Sequence, residues 1–245
     1  MAIIEPQATD RSPRSLVLTW HQRLLERVLW WAVAFVIVCD VIASVGDSKR
    51  WIPYSITRFF DGDVKVNVPT TAKALGLLSV ALLMLLLSSV ARKLGGPDRR
   101  LWLGLAGVVG FAFVDESIYL HQTLSEELHK HFHTHGILTY AWTAVYLPVL
   151  LLVAILVLPG LRHLESRFRW RLLAAGGVYG IGAVAMEPFK SRLSEETSEA
   201  GLGFHLVAAL SDSLQVIGLA LLIILLTRHI GRHCDRITVN TSTTA

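Results

Sequence analysis

Within the apolar stretch GFAFVDESIYLHQ, residues 110–122, Asp115 and Glu116 stand side by side and His121 follows a turn and a half later. Paired carboxylates with an imidazole nearby are the groups that hold a divalent cation or pass a proton. An ionised side chain at membrane depth costs about 2.5–3.5 kcal/mol or more and usually marks a functional site. Asp212, in the polar patch SDSLQ of another oily run, raises the same question, as does Asp40 in the first run. Glu187 and His205 stand near the ends of two further runs. The candidate catalytic residues are therefore Asp115, Glu116 and Asp212. The candidate metal ligands are Asp115, Glu116, His121, Glu187, His205 and Asp212, for a divalent ion whose identity the residue types leave open.

The elements that must position these groups are membrane helices. Of 245 residues, 53% are hydrophobic and only 17% charged, and the mean hydropathy is +0.51, too oily for an ordinary soluble domain. Six segments approach the roughly 20 residues that cross a hydrocarbon core: 28–46, 72–91, 101–121, 137–159, 170–188 and 204–227. Apolar residues surround them on all sides without period-two alternation, which excludes a β-barrel. The expected architecture is an all-α, polytopic bundle of six transmembrane helices. A polar N-terminal segment (1–27) precedes the membrane domain (28–230), and a polar tail (231–245) follows it. The polar N-terminus carries no cleavable signal pattern, so the first run is expected to remain as an anchor.

Basic residues set the orientation. Arg23 and Arg27 before the first span, Arg92, Arg99 and Arg100 between the second and third, Arg162, Arg167 and Arg169 between the fourth and fifth, and Arg228 and Arg232 at the end of the sixth all fall on one side. That side is expected to be the cytoplasm of a bacterial inner membrane, with both termini inside. The first loop, with Lys49, Arg50, Arg58, Lys65 and Lys73, breaks the rule. The net charge of +4 is thus spread over membrane flanks, so the implied partners are membrane lipids and not nucleic acid. Nothing identifies a protein partner.

In this topology Asp40, Asp115, Glu116 and Asp212 all lie roughly 10 Å below the outer surface, at about 1.5 Å of rise per residue. Three spans that enter from alternating directions agree in depth, and no Arg or Lys is expected there to balance them. A proton, a bound cation or a water-filled cavity must then compensate. On regular helices Asp115, Tyr119 and Gln122 share one face, whereas His121 sits about 120° round from Asp115. His205 and Asp212 share another face two turns apart, too far for one metal ion with bonds of about 2.0–2.2 Å. A mononuclear site would need one ligand from each of several helices.

Plainer roles compete at several positions. A lone Asp40 suits an interhelical hydrogen bond as well as a site, and Glu187 and His205 suit solvated helix ends. His129, His131, His133 and His135 in HKHFHTH are imidazoles suited to Zn, Cu or Ni, yet their alternation is not the HxxxH spacing of one helical face. Trp30, Trp31, Trp102 and Trp170 stand where interface anchors belong. Cys39 and Cys234 imply no disulfide framework.

Taken in order, NVPT at 67–70, a Trp followed by DESIYLHQ, GAVAME at 182–187 and SDSLQVIG at 211–218 resemble a group of bacterial multispanning membrane proteins of unsettled function. That group carries D-E-x4-H-E, G-A-x3-E and E-E-x-L-E-x-x-G in corresponding spans. The resemblance implies that Asp115, Glu116, His121, Glu187 and Asp212 occupy its motif positions; Gln122, Ser211 and Gln215 depart from it, each replacing an acidic residue. A second likeness, to the membrane hydrolases that include alkaline ceramidases, is one of composition only: Ser211, Asp212, His121 and His205 supply the residue types without the late HxxxH.

Three functions suit this pattern. A metal-dependent membrane enzyme acting on a lipid or other hydrophobic substrate uses the mixture of His and carboxylates best. A proton- or cation-coupled transporter would use the same acids, though no polar path crosses the inner half and no broken-helix pair is visible. A non-catalytic accessory or sensor subunit would use them to fix helix packing.

Overall fold

The computed structural model describes residues 15–18, 22–49, 51–60, 67–93, 98–132, 142–197, 201–233 and 237–240. The protein is an all-α bundle with six helices long and apolar enough to cross a membrane. Helix α1 (Gln22–Ser48) is followed by the single turn α2 (Tyr54–Thr57), then by α3 (Val68–Lys93), α4 (Arg99–Ile118) and α5 (Leu120–Phe132). Next come α6 (Trp142–Leu161), α7 (Ser166–Gly180), a π-helical turn (Ile181–Ala185), α8 (Glu187–Thr197) and α9 (Leu202–His233). One short antiparallel pair, β1 (Ser15–Leu18) with β2 (Ile237–Asn240), joins the two ends of the chain in the register Ser15 to Asn240.

Helix α9 is the axis. Its Leu219, Leu222, Leu226 and Ile230 interlock with Leu77, Val80, Met84 and Leu87 of α3, and with Phe168, Leu172 and Ala175 of α7. On another side Val216 and Ala220 meet Val33 and Val36 of α1. Helix α6 is peripheral: Leu151 and Leu156 are 62% and 71% exposed, the lipid-facing surface that an all-round apolar helix supplies. Two glycines let helices close on α9. A Cβ on Gly218 would stand 2.5 Å from the backbone nitrogen of Tyr179, and one on Gly182 would stand 2.6 Å from the carbonyl of Ser211.

Three expectations change. Helix α1 begins at Gln22, six residues before its apolar run, because Glu26 of α1 is clamped at both oxygens by Arg228 of α9, at 2.6 and 2.7 Å. Trp102 is no interface anchor. It is 2% exposed and packs edge-on to Phe168 at 6.2 Å, whereas Trp31 and Trp170 do face outward. The third span ends at Ile118, where Tyr119 adopts a left-handed conformation, φ 57°. His133 and His135 lie outside the described residues, as does Cys234, while His129 and His131 belong to the last turn of α5.

Candidate functional site

The site begins with a cap. Asn67 accepts the backbone N–H of Thr70 through its side-chain oxygen at 2.6 Å, the usual N-cap bond to the third helical residue. Pro69 in the first turn suits a position whose N–H has no helical partner. This start, several residues before residue 72, carries Lys73 from the edge of the span to more than a turn inside α3. Lys73 is 7% exposed, and its Nζ lies 2.9 Å from Glu116 Oε1 and 2.9 Å from Asp212 Oδ1. The expectation that no basic group shares the depth of the acids is therefore wrong. Lys73 joins α3, α4 and α9 through one ammonium, and its apparent breach of the loop-charge pattern disappears with it.

The second cluster follows from the break at Tyr119. A continuous helix would carry His121 away from Asp115, but the left-handed residue turns the chain and starts α5. His121 then donates its backbone N–H to Asp115 Oδ1 at 2.9 Å, and its Nδ1 meets Asp115 Oδ2 at 2.7 Å. Asp115 thereby satisfies one of the orphan donors of the α5 N-terminus. Tyr146 of α6 donates its hydroxyl to Asp115 Oδ1 at 2.7 Å. Trp142 closes the group, 5.3 Å from the His121 ring and 5.1 Å from that of Tyr146. An ionised carboxylate only accepts, so the Nδ1 that faces it carries the proton and Nε2 is left basic in the neutral ring. Tyr119 itself sits outside the span; burial and the Glu116 carboxylate push its phenol up.

The third wall comes from the π turn. Met186 N–H bonds to the carbonyl of Ile181 at 3.1 Å, a one-residue bulge of the kind often found at functional sites. It permits Gly182 to lie against α9, where Ser211 donates to the Gly182 carbonyl at 2.8 Å. It also sets Glu187 on the inward face, paired with Lys190 at 2.5 Å. Gln215 Nε2 approaches Ser211 Oγ at 3.3 Å and Asp212 Oδ1 at 3.4 Å.

Together these groups line a cavity of about 120 Å³ bounded by Lys73, Asp115, Glu116, His121, Glu187, Lys190 and Asp212, among others. Five of the six candidate ligands are thus neighbours around one space. His205 is not; it is 5% exposed beside Phe204 and does not line the cavity. Nor does Asp40, 2% exposed in α1, so the acids around the cavity do not include it. Among the described residues no three His, Cys, Asp or Glu side chains are arranged to hold a metal ion. The physical reason is that the carboxylates are already committed: Glu116 and Asp212 to Lys73, Glu187 to Lys190, and Asp115 to His121 and Tyr146.

Sequence reasoning missed Lys73, Tyr146 and Lys190. The N-cap signature Asn67 with Pro69 would have moved the start of α3 and set Lys73 more than a turn inside that span. Nothing local marks Tyr146, because its partner is contributed by another helix.

Six spans around a charged chamber define a multi-pass membrane protein. The chain belongs to the family described as Domain of unknown function (DUF8692), which matches residues 28–229. No curated protein and no solved structure matches it.

Proposed function

We propose that this protein is a membrane enzyme that performs general acid–base chemistry on the polar part of a membrane-borne substrate, with His121 as the base. The observation that carries the reading is the Asp115–His121 pair. A carboxylate at 2.7 Å from Nδ1 fixes the tautomer and leaves Nε2 to accept a proton. His121 lines the same cavity as Lys73, an ammonium that can stabilise negative charge developing on a substrate. Such a base contributes about 10²–10⁴-fold to a rate. Ser211 is not available as a nucleophile, because it is fully buried and donates to Gly182. Water is the attacking group in this reading, and a cavity of about 120 Å³ holds several waters or a small head group.

Towards the other end of the bundle the apolar core of Leu77, Val80, Met84, Trp102 and Leu226 closes the helices together. That dry floor supports a one-sided chamber over a conduit for solutes. Arginines at the flanks away from the chamber, including Arg99, Arg162 and Arg228, favour a chamber opening to the extracytoplasmic side of a bacterial inner membrane, with both termini inside.

The test is turnover. Purified protein is reconstituted into vesicles of a bacterial polar lipid extract, and lipid composition is followed by mass spectrometry beside a His121→Gln variant. The native protein should convert at least one lipid class, and the variant should do so at a hundredth of the rate or less. An unchanged lipid profile with the native protein would favour an accessory role and reject the enzyme.

A further inference from the structure

A second cavity lies at the other end of α4. Asp98 and Asp115 are separated along that helix by about 25 Å at 1.5 Å per residue, so this cavity is independent of the chamber and of the reading given for it. It has a volume of about 450 Å³ between α4 and α6. Its walls are apolar, formed by Gly104, Val108, Leu156 and Val157, and its mouth carries Asp98, Arg100 and His163.

The groove has a local cause. The two helices touch at one end, where a Cβ on Gly160 would stand 3.1 Å from Leu101 Cδ1, and stand farther apart beside Gly104, which has Val157 only at 4.0 Å, before Tyr146 meets Asp115 towards the other end. Leu103 and Leu156, at 50% and 71% exposure, flank this separation on the lipid-facing surface. The slot is therefore open to acyl chains along its length and to head groups at its mouth.

The mouth is mixed in charge. Asp98 lines this mouth, its side chain makes no cap bond to α4, and its inward oxygen Oδ1 has no hydrogen-bond partner among the described residues. A carboxylate so little engaged by the protein, at the mouth of a groove, suits a cationic N–H donor. Arg100 and His163 are exposed at the same mouth, and a guanidinium suits a phosphate. An acyl chain in the slot, a phosphate on Arg100 and an N–H donor on Asp98 are the three parts of one molecule. A choline head group has no N–H to give, and a glycerol head group brings no positive charge to the carboxylate.

We propose that the α4–α6 groove is a binding site for a phospholipid with a primary ammonium head, of the phosphatidylethanolamine class. Asp98 accepts the ammonium, Arg100 with His163 holds the phosphate, and one acyl chain follows Gly104 and Val157.

Native mass spectrometry of the delipidated protein in detergent tests this with dioleoyl phosphatidylethanolamine, phosphatidylcholine and phosphatidylglycerol, and with free phosphoethanolamine. The ethanolamine lipid should bind about tenfold or more tightly than the other two lipids, the worth of one charge-assisted hydrogen bond. Asp98→Asn keeps a good N-cap residue and should erase that preference. Gly104→Leu, which faces the groove, should weaken the ethanolamine lipid by a similar factor. Equal binding of all three lipids, retained preference in Asp98→Asn, or free phosphoethanolamine binding as tightly as the lipid would each overturn the proposal.

Discussion

Lys73 Nζ lies 2.9 Å from Asp212 Oδ1, across the contact between α3 and α9, and reaches Glu116 of α4 at the same distance. One ammonium thus holds three helices together at membrane depth. Burying charge is costly, and a pair of this kind does not guarantee stability over an apolar replacement. Removing one partner is a different matter, because it strands the others.

Lys73→Met should therefore destabilise the protein by about 3–5 kcal/mol, the usual cost of leaving a buried charge unpaired. Adding Glu116→Gln and Asp212→Asn to the same chain should recover most of the loss. Thermal unfolding in detergent reads both. A Lys73→Met midpoint equal to that of the native protein would show that the three groups are not coupled.

The left-handed backbone of Tyr119, φ 57°, creates the geometry that brings His121 back to Asp115. For an L-residue this conformation costs about 1–2 kcal/mol, and β-branched side chains suffer most. Tyr119→Ile should lower stability by at least about that amount and perturb the His121 ring, whereas Tyr119→Asn should retain the turn. Chemical shifts of selectively labelled His121 separate the two outcomes.

Gly218 and Gly182 are close-approach glycines, with Tyr179 and Ser211 backbone atoms where a Cβ would go. Neither neighbour is a flexible side-chain tip that can swing away, so Gly218→Ala should cost about 1–3 kcal/mol through helix displacement. Gly176 and Gly177 of α7 have nothing within 4 Å of a Cβ. Gly177→Ala should raise stability by up to about 1 kcal/mol through helix propensity alone. Equal effects at Gly177 and Gly218 would contradict the packing described.

The number of spans was legible because a 20-residue apolar run has few alternatives to a membrane helix. Asp115, Glu116, His121, Glu187 and Asp212 stood out for the related reason that charge in such a run is rare. Their compensation was not legible. Lys73 sits near a helix start, and without the Asn67 cap in view it reads as loop. The Asp115–His121 contact depends on a single residue, Tyr119, leaving helical geometry, and no propensity rule assigns that conformation to a tyrosine. Periodicity misplaces His121 by extending a helix that in fact stops. Asp40 marks the opposite failure: its depth matched, but depth along a helix says nothing of the direction in which a side chain points.

Asp115 gives the sharpest test of the acid–base reading, because its two oxygens have different duties. Oδ1 accepts from the His121 backbone and from the Tyr146 hydroxyl, while Oδ2 faces His121 Nδ1. In Asp115→Asn the carbonyl oxygen will stay with the two donors, since an NH₂ there would oppose both. The amide NH₂ then faces Nδ1, which must accept, and the ring proton moves to Nε2. The base becomes a donor while the fold and volume barely change. Nitrogen-15 spectra of labelled histidine should show the Nδ1–H form of His121 in the native protein and the Nε2–H form in the variant. Any lipid conversion should fall by about a hundredfold or more with it. A tautomer switch with undiminished turnover would remove His121 from the chemistry and leave Asp115 a role in packing alone.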